Sequence, residues 1–165
     1  MVEQHSRRGL LGLLGLGGGA ALLWRGGAGE AQAASPDFPV RLPPAEWKRR
    51  LGPKRYHVLR EAGTERPFTS PLNTESRRGA FACAGCKQRL FSSAAKFDSG
   101  TGWPSFFRAL PNAVVTRTDR SLLMSRTEVL CARCGGHLGH VFDDGPKPTG
   151  KRFCMNGLAL SFIPS

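Results

Sequence analysis

Short apolar segments, bounded by glycine, proline or polar residues, recur along the chain from residue 80 onward. Segments of this kind predict strands over 80–82, 88–91, 114–117, 121–124 and 127–130, and a last pair of short strands over 153–162. We expect 114–117 and 121–124 to pair as a hairpin that turns at Asp119 and Arg120. The chain contains 21 glycines and 12 prolines, and both residues destabilise helix interiors. The pattern therefore predicts a mainly β protein with antiparallel strands.

A helical signal precedes these strands. The prolines at 43–44 stand just before Glu46, an arrangement typical of the first turn of a helix. The Gly-Pro pair at 52–53 predicts a break, and a second short helix is expected over 54–60. Together these segments predict an N-terminal helical cap on the β domain.

The first residues have the order of an export signal. Arg7 and Arg8 precede an apolar run over 10–23, and small residues at 31–33 suit a cleavage site. The twin arginine favours a twin-arginine (Tat) signal, and hence a periplasmic or otherwise extracytoplasmic protein. An uncleaved membrane anchor is the alternative, but the run is shorter than the ~20 residues that span a bilayer. The predicted organisation is a signal peptide at 1–33, a linker at 34–42 and a folded domain at 43–163.

The net charge of +12 favours acidic partners. Lysine and arginine are nevertheless spread along the chain, with short clusters at 48–50 and 77–78 and no basic face of helix length. A solvated basic surface is therefore favoured over a nucleic-acid footprint. We expect no nucleic-acid partner, and a monomer.

Five cysteines divide into two C-x-x-C pairs and one isolated residue, Cys154. Each pair, Cys83 with Cys86 and then Cys131 with Cys134, brings two sulfurs to one side of a short turn. Two such pairs can complete a tetrahedral zinc site. Two disulfides are the alternative in an exported protein, although a disulfide within each C-x-x-C would be a redox motif rather than a framework. Because four thiolates leave no open position, we expect one structural zinc ion per subunit.

Cys154 follows Arg152 by two residues, so the two side chains share a face if the segment is a strand. Cationic and hydrogen-bonding neighbours lower a thiol pKa, which favours a reactive cysteine. A buried small hydrophobic residue is the alternative. His137 and His140 precede it and could extend the metal site, but four cysteines already fill a tetrahedral shell. The histidines are therefore free for acid–base chemistry or plain hydrogen bonding.

Several motifs are specific in combination: 60–68 (REAGTERPF), 83–86 (CAGC), 96–106 (KFDSGTGWPSF), 131–142 (CARCGGHLGHVF), 144–146 (DGP) and 152–156 (RFCMN). Together they resemble the B-type methionine sulfoxide reductases (MsrB), over about residues 40–163. The resemblance implies two small antiparallel sheets in a β-tent that carries the zinc site. It also implies reduction of methionine-R-sulfoxide, free or protein-bound, to methionine, which outside the cytoplasm would repair oxidative damage.

The resemblance implies roles for individual residues. Cys154 would attack the sulfoxide sulfur; the oxygen is protonated and leaves, and methionine and a cysteine sulfenic acid result. His140, together with His137, would supply the acid and orient the substrate, because an unprotonated sulfoxide oxygen is a poor leaving group. The resemblance also implies that Arg152, Asn156 and Asp144 position the nucleophile. It implies that Trp103 and Phe142 bind the substrate.

One position departs from the family pattern. Many members have a resolving cysteine where this chain has Thr101, and no sixth cysteine replaces it. If zinc holds the paired cysteines, a sulfenic acid at Cys154 has no internal partner. We therefore expect regeneration by an external thiol reductant of the thioredoxin type.

Two other classes of function fit less of the sequence. A zinc-stabilised β module that binds RNA or an acidic protein would account for the charge and the C-x-x-C pairs, but not for Cys154 or Trp103. A thiol–disulfide oxidoreductase would use one C-x-x-C, but the second pair and the lack of a βαβ pattern argue against it.

Overall fold

The structure, a computed structural model, describes residues 37–120 and 125–165. These residues belong to a unit that spans Ser35–Ser165. The predicted signal peptide and its cleavage site lie outside the described residues. No helix within the two described ranges is both long and apolar enough to cross a membrane.

The described chain begins with helix α1, which spans Pro44–Glu61. The helix is two helical segments joined at Gly52, whose φ of 68° lies in the left-handed region. Pro53 follows at once and suits the start of the second segment, because its missing N–H costs nothing in a first turn. The predicted break and the helical cap are therefore confirmed.

The strands form two antiparallel sheets within the described residues. They are β1 (Gly79–Cys83), β2 (Arg89–Ser92), β3 (Lys96–Phe97), β4 (Ser105–Phe106), β5 (Val114–Asp119), β6 (Arg126–Cys131), β7 (His137–Phe142), β8 (Arg152–Met155) and β9 (Leu160–Pro164). The small sheet has the order β2-β1-β9, and the large sheet has the order β3-β4-β8-β7-β6-β5. The predicted fold class, mainly β with two antiparallel sheets and a helical cap, is confirmed.

One predicted strand pairing is corrected. Strand β5 pairs along its length with β6, so that Val114 lies opposite Cys131 and Asp119 opposite Arg126. The partner expected from the sequence, 121–124, lies outside the described residues. The apolar pattern could not decide between 121–124 and β6 as the partner of β5. Both segments are short and apolar, and both follow β5 closely enough to pair with it in antiparallel orientation.

Aromatic packing joins the two sheets. Phe81 of β1 and Phe91 of β2 both contact Phe106 of β4, with ring centroids 4.9 Å and 4.3 Å apart. All three rings are fully buried, and each burial is worth about 1.5–3 kcal/mol. Helix α1 covers the same core from outside through Trp47 and Leu59, and packs against β7.

Candidate active site and metal centre

The two C-x-x-C pairs adopt the same local structure. In the first, the amide of Lys87 donates to the carbonyl of Cys83 at 2.9 Å. In the second, the amide of Gly135 donates to the carbonyl of Cys131 at 2.8 Å. The donor residue is left-handed in both, with φ of 63° at Lys87 and 65° at Gly135. The two turns are therefore equivalent knuckles, each of which presents two sulfurs on one side.

The four knuckle sulfurs form one cluster, with all of them within 4.8 Å of one another. Their closest contacts are Cys83 Sγ to Cys134 Sγ at 3.7 Å and Cys86 Sγ to Cys131 Sγ at 3.5 Å. These separations exceed the ~2.05 Å of a disulfide, and all four cysteines are free. A tetrahedral shell with Zn–S near ~2.3 Å places sulfurs roughly 3.8 Å apart. The cluster could therefore hold a metal ion as it stands.

The electrostatics of the cluster also suit a cation. Contact with the sulfur of Cys131 raises the pKa of the Cys83 and Cys134 thiols. Four thiolates at this distance repel one another unless a positive charge lies among them. A metal cation among the four sulfurs would remove this repulsion. The four thiolates would complete its coordination without a ligand of another type.

The cluster lies where the two sheets meet. Cys83 ends β1 of the small sheet, and Cys131 ends β6 of the large one. Helix α1 covers it: Arg60 Nη1 donates to the carbonyl of Cys134 at 2.9 Å, and its guanidinium stacks 4.9 Å from the centre of the Trp47 ring. A bound ion would therefore cross-link two sheets beneath the helix.

A separate cavity of about 130 Å³ is lined by five of the eight residues predicted for catalysis and substrate binding. Its lining residues are Thr64, Trp103, Arg126, Gly139, His140, Phe142, Cys154 and Asn156. Cys154 lies directly opposite His140 on β7 and opposite Ser105 on β4. Cross-strand neighbours have Cβ atoms about 4.5–5.5 Å apart. The sheet register thus places a thiol beside an imidazole in an open cavity.

Strand β7 needs a glycine beside the thiol. Gly139 has φ of 154°, and a Cβ there would lie 2.1 Å from the carbonyl oxygen of Cys154. Its lack of a side chain lets β7 approach β8 closely at the cavity.

His140 is held by a carboxylate that the sequence analysis did not select. Its Nε2 lies 2.9 Å from Asp119 Oδ2, and the same oxygen accepts from Arg126 Nη2 at 2.8 Å. Burial lowers the pKa of His140, although the hydrogen bond to Asp119 opposes this shift. Because the Asp119 carboxylate accepts a hydrogen bond from Nε2–H, Nδ1 is the nitrogen that gains or loses a proton.

His137 does not line the cavity. It is buried, and its Nδ1 lies 2.6 Å from Glu128 Oε1. Burial acts to raise the pKa of Glu128, but hydrogen bonds from His137 and Arg117 outweigh it, so the pKa is lowered. The rings of His137 and His140 meet edge to face, with centroids 5.5 Å apart. His137 is therefore in contact with His140 without lining the cavity itself.

Arg152 and Asp144 also lie outside the cavity lining. Arg152 Nε and Nη2 donate to the two carboxylate oxygens of Asp144 at 2.9 Å and 2.8 Å, and the hydrogen bond from Arg152 lowers the pKa of Asp144. The guanidinium also lies 4.4 Å from the centre of the Phe142 ring. Asp144 thus orients Arg152, and Arg152 packs on one wall of the cavity.

Hydroxyl groups occupy the other side of Cys154. Thr101 Oγ1 lies 3.8 Å from the Cys154 sulfur. Ser99 Oγ lies 2.8 Å from Thr101 Oγ1 and 2.7 Å from Ser105 Oγ. Position 101, where the resemblance leads one to expect a cysteine, therefore lies within reach of the Cys154 sulfur and carries a hydroxyl.

Glu65 is a second residue that the sequence analysis did not assign. Its buried carboxylate accepts from the amides of Gly157 and Leu158, the second at 2.9 Å. Its own amide donates to Asn156 Oδ1 at 2.9 Å, and its carbonyl accepts from Trp103 Nε1 at 3.1 Å. One residue thus ties together two cavity walls, and its place in the 60–68 motif was the available signal.

Comparisons with known proteins agree with this geometry. A protein-family model described as the SelR domain matches residues 51–164. The chain is 55% identical to the peptide methionine sulfoxide reductase MsrB of Methanosarcina barkeri over 118 residues, which cover 71% of this chain and 83% of the relative. It is 56% identical to the protein of that name from Thiobacillus denitrificans over 121 residues, 73% of this chain and 92% of the relative. The MsrB of Leifsonia xyli is 53% identical over 140 residues, 84% and 96% of the two chains. This chain therefore belongs to the B-type peptide methionine sulfoxide reductase (MsrB) family.

Proposed function

We propose that this protein reduces methionine-R-sulfoxide to methionine, as a peptide-methionine (R)-S-oxide reductase. The observation that carries the proposal is the register of β7 and β8, which sets the Cys154 thiol opposite His140 in an open cavity. Trp103 and Phe142 supply aromatic walls for the apolar end of the side chain. The relatives named as peptide methionine sulfoxide reductases support the reaction class.

The proposed reaction begins with attack of the Cys154 thiolate on the sulfoxide sulfur. A bond forms between the two sulfurs, and the sulfoxide oxygen takes up protons and leaves as water when the S–O bond breaks. Water then attacks the Cys154 sulfur, the bond between the two sulfurs breaks, and the methionine thioether and a proton are released, which leaves a sulfenic acid on Cys154. The net change converts one thiol and one sulfoxide into one sulfenic acid and one thioether, so that cysteine is oxidised and methionine is reduced. A protonated His140 is placed to supply the proton, with Asp119 holding its Nε2–H.

Neighbouring groups support the nucleophile. Arg152 is on the same strand and face, two residues before Cys154, so its positive charge lies beside the thiol that begins the proposed reaction. The hydroxyl of Thr101 can donate to the sulfur during the reaction. Asn156 is fixed by the backbone of Glu65 and lines the cavity, where it can orient the substrate.

We propose that regeneration uses an external thiol, most simply a thioredoxin-type dithiol. The other four cysteines belong to the metal cluster, and Thr101 takes the place from which a thiol could attack. A first external thiol would form a mixed disulfide with Cys154 and release water. A second thiol would then release reduced Cys154 and an oxidised disulfide.

We propose that the four-cysteine cluster binds one structural Zn²⁺ through Cys83, Cys86, Cys131 and Cys134. Bound zinc supplies a tetrahedral cross-link with no open position for catalysis. The two knuckles lie in different sheets, so their shared ion would hold the sheets in one relative arrangement. The four soft thiolate donors favour zinc over the oxygen-seeking ions.

We further propose that the protein acts outside the cytoplasm. The support is the arginine pair, apolar run and small-residue site over 1–33. A fusion of this segment to a reporter that is active only after export, compared with Arg7→Lys and Arg8→Lys together, tests this location. Export by the double variant would argue against the twin-arginine route.

The activity test uses the separate R and S epimers of an oxidised methionine substrate. Zinc-loaded protein with excess dithiothreitol should reduce the R epimer and leave the S epimer unchanged. Cys154→Ser should lower the R rate by at least ~10³-fold, because the nucleophile is lost, while the fold and bound zinc remain. Absence of R reduction by the folded, zinc-loaded wild type would reject the proposed function.

A further inference from the structure

Phe68 is an unusual surface residue. It is 73% exposed, and within the two described ranges it is the large hydrophobic side chain that solvent reaches most. Its φ is 63°, in the left-handed region that bulky side chains avoid. Because the ring is exposed, its burial cannot offset the energetic cost of this backbone conformation. A role in binding would explain why a phenylalanine stands at this position.

The backbone around Phe68 is held against the wall of the active cavity. Its amide donates to the carbonyl of Gly102 at 2.7 Å. Gly102 has φ of 89°, and a Cβ there would lie 2.8 Å from both the amide nitrogen and Cδ2 of Phe68. The ring therefore lies in close contact with the residue that precedes Trp103. Asn73 Nδ2 donates to the same carbonyl at 2.8 Å and fixes this arrangement from the other side.

A second cavity of about 150 Å³ opens beside this ring. We call it the Phe68 groove; its apolar lining is Phe68, Phe97, Gly102, Trp103 and Pro104, and the rest of the lining is Asn73, Thr74, Lys96 and Asp98. Trp103 lines both this groove and the active cavity. The two spaces are thus neighbours that share one indole wall, which Glu65 anchors through Trp103 Nε1.

We propose that the Phe68 groove binds an apolar side chain next to the oxidised methionine in a polypeptide substrate. The inference rests on the proposed function and deepens it, because it assigns a binding site to the residue next to the sulfoxide. An extended chain advances about 3.3 Å per residue, so a sulfoxide in the active cavity carries its neighbours past Trp103. A rigid exposed aromatic loses little conformational freedom on contact, which suits a recognition surface. Free methionine sulfoxide would leave the groove empty.

The backbone at Phe68 allows a clean test. Asparagine tolerates the left-handed region, so Phe68→Asn removes the ring without adding strain. Phe68→Tyr keeps an aromatic ring at the same place and serves as the matched control. Both variants should retain folding and bound zinc, because Phe68 is not part of the buried core.

The experiment compares kcat/KM for three R-sulfoxide substrates with dithiothreitol as reductant. The substrates are free methionine-R-sulfoxide, a short peptide with glycine on both sides of the sulfoxide, and a peptide with leucine on both sides. Wild type and Phe68→Tyr should favour the leucine peptide over the glycine peptide. Phe68→Asn should lose about fivefold to tenfold on the leucine peptide, the value of one aromatic contact, and keep its activity on free substrate.

Other outcomes would overturn the proposal. An equal loss on all three substrates would place Phe68 in support of the active cavity rather than in peptide binding. A loss that appears with a thioredoxin but not with dithiothreitol would assign the groove to the reductant. If the wild type has the same kcat/KM for the leucine and glycine peptides, the groove does not bind an apolar side chain next to the sulfoxide. If the wild type reduces none of the R substrates, the proposed function is wrong. That result differs from the outcomes above, which reject only the proposed role of the Phe68 groove.

Discussion

Cys154 lies between His140 on one neighbouring strand and Ser105 on the other. This central position lets an acid approach from one side and hydroxyl groups from the other, while Arg152 adds positive charge along the same strand. The proposed acid role of His140 requires a protonated imidazole, and burial lowers the pKa of His140. The hydrogen bond to Asp119 opposes this effect of burial.

We predict that Asp119→Asn moves the alkaline limb of the pH–kcat profile to lower pH. The carboxylate raises the pKa of His140, so removing its charge lowers that pKa further and shrinks the protonated fraction at neutral pH. The rate at pH 7 should fall on the order of tenfold. The control is Asp143→Asn, at an exposed carboxylate paired with Lys151, which should leave the profile unchanged. An unmoved or raised limb in Asp119→Asn would contradict this role of the carboxylate.

We predict that Thr101→Cys restores an internal resolving step. Thr101 Oγ1 is 3.8 Å from the Cys154 sulfur, so a thiol there can reach the sulfenic acid with small adjustment. After one turnover without external thiol, mass spectrometry should show a disulfide between the introduced thiol and Cys154. Ser165→Cys, at the end of the small sheet, is the control and should form none. A sulfenic acid that persists in Thr101→Cys would show that the two groups do not meet.

At the level of elements, the two knuckles form the same turn with different residues at the left-handed position. Gly135 takes its left-handed conformation without steric cost, whereas Lys87 takes the same conformation with a side chain. The ring of Phe38 also packs where a Cβ on Gly135 would lie, 2.5 Å away. Glycine is therefore required in the second knuckle and is only preferred in the first.

We predict that Lys87→Gly stabilises the zinc-loaded protein. The gain should be about 0.5–1 kcal/mol, because the left-handed conformation costs an L-residue roughly 1–2 kcal/mol while glycine loses part of this in unfolded-state entropy. Urea unfolding at constant zinc measures it. Lys87→Ala removes the same charge but keeps Cβ, so it should show no such gain. Equal stability of the two variants would mean that charge, not backbone conformation, sets the effect.

On the scale of the whole molecule, the cysteine cluster and the aromatic core hold the same two sheets together. The rings of Phe81, Phe91 and Phe106 pack between the sheets, and the cluster joins β1 to β6. A metal ion bound in the cluster would therefore add a second link between the sheets, beside the aromatic core.

We predict that metal removal destabilises the entire fold. Structural zinc contributes on the order of 10 kcal/mol in small domains, so excess chelator should lower Tm strongly and abolish activity together with the cooperative transition. Circular dichroism with parallel zinc analysis measures both. Cys154→Ser should keep its zinc and its Tm, which separates the fifth cysteine from the other four. An unchanged Tm after complete zinc loss would contradict a structural role.

Several features could be predicted from the sequence because they depend on neighbouring residues. The break at Gly52 follows from local backbone chemistry, and the pairing of sulfurs within each C-x-x-C follows from the reach of one tight turn. The motif around Cys154 predicted the family, which the comparisons confirmed. The export signal, the zinc ion and the external reductant stay predictions.

Other features depended on strand register, which connects residues that are far apart in the chain. Asp119 meets His140 because β5, β6 and β7 pair in order, and no local pattern marks that carboxylate. Glu65 reaches Gly157 across 92 residues, and His137 turns out to be buried on Glu128 instead of lining the cavity. The sequence by itself determined the family and supplied the candidate residues, because both depend on side-chain type and short spacing in the chain. Only the tertiary structure decided which of them touch, because one step in register would point every side chain of a strand to the opposite face.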